Sequence, residues 1–96
     1  MWSLVSVTQS PKPTKKWVAK FRDQDGREKH THFGSAGMDD FTLTRDTAQR
    51  DRYRQRHTKD LQTGDPTRAG FLSYYILWNK PTLTESIADY RKRFSM

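Results

Sequence analysis

Lys15-Lys16-Trp17-Val18-Ala19-Lys20-Phe21-Arg22, the turn residues Asp23-Gln24-Asp25-Gly26, and the return Arg27-Glu28-Lys29-His30-Thr31-His32-Phe33 decide the fold. In the first run Trp17, Ala19 and Phe21 fall on one side and Val18, Lys20 and Arg22 on the other. A period of two is that of a half-buried strand. Asp25-Gly26 supplies a positive-φ turn, and the chain returns as a second alternating strand with Thr31 and Phe33 on the inner face. Gly34-Ser35-Ala36-Gly37 ends the hairpin in an open loop, and Met38 to Leu43 reads as a short extended piece.

Towards the N-terminus, Ser10-Pro11-Lys12-Pro13 is a stiff, exposed link. Before it, Trp2 to Val7 is β-branched and aromatic enough for a short strand. It is a candidate third strand of the same sheet, or an arm that completes a neighbour's sheet edge. The expected division is an N-terminal strand or arm with its proline link over 1–14 and one compact domain over 15–96.

Towards the C-terminus the period changes to that of helices. Thr44 is a plausible N-cap, with Asp46 in the first turn of a helix from about Arg45 to Leu61. Its lean apolar stripe is Tyr53, His57 and Leu61. Asp65-Pro66 predicts a second helix start, and Ala69 to Trp78, apolar nearly all round, predicts a buried central helix. Asn79-Lys80-Pro81 stops it. Thr82-Leu83-Thr84-Glu85 is a capping box, followed by Leu83, Ile87, Tyr90 and Phe94 on one face of a third helix. The fold class is therefore α+β: a small antiparallel sheet, the hairpin with its candidate N-terminal strand, packed against about three helices.

Ninety-six residues bound the chain to a single core. With 32% apolar and 12% aromatic residues, that core must be small and built from rings. There is no room for a separate catalytic or dinucleotide-binding unit. Cysteine is absent, which removes disulfides, thiolate metal sites and thiol nucleophiles. Met1 to Val7 lacks the basic flank and apolar length of a signal peptide, and the run Tyr74 to Trp78 is too short to cross a bilayer. The expectation is a soluble protein of a cell interior. Eighteen Lys and Arg stand against eleven Asp and Glu, a formal charge of +7, which favours an acidic or polyanionic partner.

Two groups carry that surplus. Lys12, Lys15, Lys16, Lys20 and Arg22 surround the first hairpin strand. Arg45, Arg50, Arg52, Arg54, Arg56 and Lys59 lie on the middle helix, where Arg45, Arg52, Arg56 and Lys59 share one side at helical spacing. Such a ridge can neutralise phosphates, fork onto carboxylates of a protein partner, or form a solvated face with local Asp–Arg pairs. Trp17 and Phe21 share a face with Ala19 and read as core rather than as a stacking platform for bases.

Catalytic chemistry is poorly represented. His30 and His32 project from one strand face with Glu28, a spacing that can hold a metal but is common without one. With His57 they are faintly similar to a ββα-metal nuclease, yet base, metal ligands and phosphate clamp cannot all be assigned. Asp39-Asp40 reads as a polar turn, and Gly34-x-x-Gly37 is a weak phosphate-cradle match. No catalytic residue, cofactor or metal ligand is assigned.

Lys16-Trp17-Val18-Ala19, His32-Phe33-Gly34-Ser35-Ala36-Gly37, Arg52-Tyr53-Arg54-Gln55-Arg56-His57, the run Ala69 to Pro81 and Ser86-Ile87-x-x-Tyr90-x-x-Arg93-Phe94 carry a resemblance. Over about residues 15 to 94 the chain resembles a family of small basic proteins, a domain of unknown function, encoded by large DNA viruses of algae and protists. The resemblance implies a viral source and no catalytic residues. The expected function is then a non-enzymatic virion structural protein, a minor capsid or cementing component that contacts acidic surfaces of major or minor capsid proteins. It would reside in the virion, and in the host cell interior during assembly. The alternative is a small nucleic-acid-binding protein for genome packaging or regulation, with the ββα-metal nuclease a distant third.

Overall fold

The computed structural model describes residues 1–96. Three antiparallel strands, β1 (Trp2–Gln9), β2 (Lys15–Asp23) and β3 (Glu28–Ser35), form one sheet in the order β1-β2-β3. The hairpin is that of the sequence reading, with Phe33 opposite Trp17 and Thr31 opposite Ala19. Its turn closes because the buried Asp23 carboxylate accepts the Asp25 and Arg27 N–H groups at 3.0 and 2.9 Å, while Gly26 takes φ +83°. Strand β1 pairs along β2 within the chain, from Trp2 opposite Asp23 to Gln9 opposite Trp17. A bulge between Leu4 and Ser6 turns Val5 outward. The Arg91 guanidinium donates to the Leu4 and Val5 carbonyls there, so the last helix ties down the outer strand.

All helices pack on one face of the sheet. They are α1 (Phe41–Thr44), α2 (Thr47–His57) continuing as a 3₁₀ segment (Thr58–Thr63), α3 (Ala69–Leu72) running into a π-helical turn (Ser73–Leu77), and α4 (Leu83–Arg93). The core joins Leu4, Ala19, Phe21 and Phe33 of the sheet to Phe41, Leu72, Ile76, Leu77, Trp78 and Tyr90. Half of these are aromatic, as the composition required.

Four local expectations are corrected. Met38 to Leu43 is not an extended piece: Asp40 caps the single turn α1, which buries Phe41. The basic helix starts after Asp46, whose side chain accepts the Gln49 N–H at 3.1 Å, and not after Thr44. Arg45 lies between the two helices with φ +54°, so it does not share a helical side with Arg52. Asp65-Pro66 forms a turn and the helix begins at Ala69. The π-helical turn closes with Trp78 N–H donating to the Ser73 carbonyl, five residues back.

Gly34 holds the sheet against the π-helical turn. It takes φ +79°, and a Cβ there would lie 2.8 Å from Leu77 Cδ1 and 3.3 Å from Lys16 Cβ. Gly34→Ala combines left-handed backbone strain with overpacking of a buried leucine, an expected loss of about 2–3 kcal/mol. Chemical denaturation checks it, and an unchanged midpoint would show that the strand relaxes freely.

Candidate functional site

The eleven basic candidates divide by what their side chains touch. Lys16 is structural: its ammonium lies 2.6 Å from the Asp40 carboxylate, which is 2% exposed, and it also donates to the Met38 carbonyl. Lys20 and Arg22 share Glu28 across the hairpin at 3.1 and 2.7 Å. They lie on the open sheet face with Ser6, Thr8, Val18, His30 and His32, which no helix covers. On α2, Arg50 stands 4.8 Å above the Phe41 ring and donates to the Asn79 carbonyl. Arg54 lies 4.4 Å over the Tyr74 ring as a cation–π pair, while its buried Nε has no hydrogen-bond partner. These two guanidiniums hold α2 onto the core.

Lys12, Lys15, Arg45, Arg52, Arg56 and Lys59 remain, with no ion pair and no side-chain hydrogen bond. All are exposed except Lys15, which is half-buried. Three of them meet at two clefts on either side of the Gly34–Met38 loop, and both clefts are lined by Lys15, Lys16 and Gly37.

The wider cleft, about 640 Å³, lies between that loop, α2 and the start of α3. Its wall is a stack of rings, with Tyr53 4.4 Å from Trp78 on one side and 4.0 Å from His57 on the other. His57 Nδ1 is 3.0 Å from Asp60, which orients the imidazole, and no hydroxyl bonds to it. Lys15 and Arg56 enter this cleft, but Asp39 and Asp60 do too, so its charge is mixed.

The narrower cleft, about 410 Å³, lies between the proline link and the Asp40–Leu43 turn. Its lysines are Lys12, Lys15 and Lys16, and its one carboxylate, Asp40, is already bonded to Lys16. Lys12 and Lys15 are left unopposed beside Pro11, Pro13, Trp17, Ala36 and Leu43. Sequence reading named the lysines and these apolar residues in separate elements and did not bring them into one groove.

The three histidines are not brought together. His57 faces the helical side, whereas His30 and His32 lie on the open sheet face, so the nuclease constellation is not assembled from these residues. No group of three or more His, Asp and Glu side chains is placed to hold a metal ion. No helix is long and apolar enough to cross a membrane.

His32 shares 2.7 Å with the Ser10 hydroxyl. Burial, then the positive charges of Lys12, His30 and Lys15, hold its pKa below the ordinary 6.5. A base whose folded pKa is depressed contributes stability above its unfolded pKa and loses it on acidification. Melting temperature should therefore fall as pH drops below 6.5, and His32→Gln should flatten that slope. Equal slopes in the two proteins would remove His32 as the cause. A second acid transition follows from Glu28, lowered by the Arg22 and Lys20 hydrogen bonds, and from Asp65, lowered by the Thr67 hydroxyl. Both carboxylates lose that contribution as pH falls through their folded pKa values, below the usual carboxylate range.

A family model described as a family of unknown function, DUF5754, matches residues 5–57. That stretch runs from within β1 to the end of α2, more than half of the chain. The chain belongs to this family. The DUF5754 segment begins before the residues that carried the viral resemblance and stops short of Ala69 to Pro81. It contains every residue lining the narrower cleft, and the wider cleft draws its remaining wall from outside it. No curated protein and no solved structure matches the chain.

Proposed function

We propose that this DUF5754 protein is a non-enzymatic structural component of a virus particle, a minor capsid or cementing protein that docks on an acidic surface of a larger capsid protein. The observation that carries the acidic partner is the convergence of Lys12, Lys15 and Arg56, which have no internal counter-ion, on the two clefts around one loop. The viral setting rests on the sequence resemblance. A protein this small adds little enclosed volume of its own, and its unopposed cations gain most where a partner supplies the missing carboxylates. Purified particles should contain the protein in stoichiometric, symmetry-related copies. Its absence from them overturns the assignment.

A second reading, nucleic-acid binding, draws on Arg52 and Lys59, exposed on α2 and the 3₁₀ segment and in no ion pair, since Asp51 pairs with Arg50 and Asp60 with His57. Its mark is an affinity for DNA that falls roughly tenfold or more from low to physiological salt.

A further inference from the structure

We propose that the narrower cleft is a docking groove for an acidic peptide segment that carries one apolar anchor side chain. The inference deepens the proposed function and rests on it, naming the part of the acidic partner that this surface reads.

The chemistry of the groove is two-sided. Lys12 and Lys15 line it with no opposing carboxylate, because Asp40 is buried and bonded to Lys16. Apolar residues share the lining with the polar Gln9, Ser10 and Thr42: Pro11, Pro13, Trp17, Ala36, and Leu43, which is 66% exposed. At this position Leu43 offers apolar surface that a partner's apolar side chain could bury. Two unpaired lysines beside apolar side chains in one groove together select a carboxylate next to a large apolar side chain.

Two of the amides that border the groove are already used within the chain. Ser10 N–H donates to the Lys16 carbonyl at 3.0 Å, and Ala36 N–H to the Thr14 carbonyl at 3.0 Å. With these amides used internally, recognition falls mainly to side chains. The same surface suits nucleic acid less well. One tryptophan offers no succession of stacking faces for neighbouring bases, and two lysines make a short track for phosphates. The groove is also rigid at its base. The Lys16–Asp40 pair joins β2 to the α1 turn beneath it, so the rim is preformed rather than assembled on binding.

Three probes test this: a random copolymer of glutamate and tyrosine, poly-glutamate, and a single-stranded oligothymidylate. Binding is followed by ¹H–¹⁵N NMR on the full chain, with the Trp17 indole signal identified from Trp17→Phe. The copolymer should shift the signals of Lys12, Lys15, Trp17 and Leu43 and bind roughly tenfold more tightly than poly-glutamate, the gain from burying one aromatic side chain. Leu43→Ser, at an exposed position, should erase that preference without changing the melting temperature. Equal affinity for both peptides, or no effect of Leu43→Ser, overturns the apolar anchor and leaves the acidic-partner reading standing. Binding of oligothymidylate alone, or of no probe, overturns both.

Discussion

Replacing Asp40 with alanine is expected to destabilise the protein by about 3–5 kcal/mol, the cost of leaving a buried charge without its partner. The carboxylate is 2% exposed, accepts the Lys16 ammonium at 2.6 Å and accepts the Thr42 N–H at 2.9 Å. Its removal strips the α1 cap and leaves Lys16, itself only 15% exposed, facing an empty site. Phe41 packs under that turn, so the loss also reaches the core. In a domain of this size the melting temperature should fall by more than about 10 °C. Lys16→Met with Asp40→Asn should be less damaging than Asp40→Ala alone, because no unpaired charge remains. A loss below about 1 kcal/mol for Asp40→Ala would mean that water reaches Lys16 and that the pair is ordinary surface chemistry.

The second large effect concerns binding. Lys12→Glu, Lys15→Glu and Arg56→Glu together should weaken capture of an acidic peptide by about a hundredfold or more. Each exposed attraction is about 1 kcal/mol, and each reversal replaces it by a repulsion. None of the three side chains has an internal carboxylate, so the melting temperature should stay where it was. The paired control is Arg52→Glu with Lys59→Glu, two exposed cations that line neither cleft. If the partner is an acidic protein, the triple variant loses binding and the double variant keeps most of it. The opposite result, with retention on DNA lost in the double variant, would favour the nucleic-acid reading.

The hairpin, α4 and the aromatic core were legible because each is a local pattern. Period two placed Ala19, Phe21 and Phe33 inward, and all three are fully buried. The capping box at Thr82 and Glu85 set the start of α4, where Thr82 accepts the Glu85 N–H at 3.2 Å. The Asp65-Pro66 signal lost to tertiary contacts. Thr31 and Tyr90 donate to the Thr67 and Pro66 carbonyls at 2.9 and 2.5 Å, removing acceptors that a helix starting there would use. Phe41 was missed because one helical turn is too short to show a period.

The charged candidates depended still more on context. Arg50 and Arg54 looked like free cations on a polar helix, but ring faces from residues 41, 74 and 75 engage them. Lys16 and Asp40 are 24 residues apart, and nothing local announces that they pair.

Read alone, the 96 residues determined the three strand runs, the antiparallel hairpin, the amphipathic α4, the small ring-built core and the +7 surplus. These follow from periodicity and composition, which neighbouring residues contain. Only the tertiary structure decided that β1 closes onto β2, that Lys16, Lys20, Arg22, Arg50 and Arg54 have internal partners, and that Lys12, Lys15 and Arg56 gather around one loop. Net charge is a sum over the chain, whereas a free charge is defined by what folding brings within a few ångströms of it.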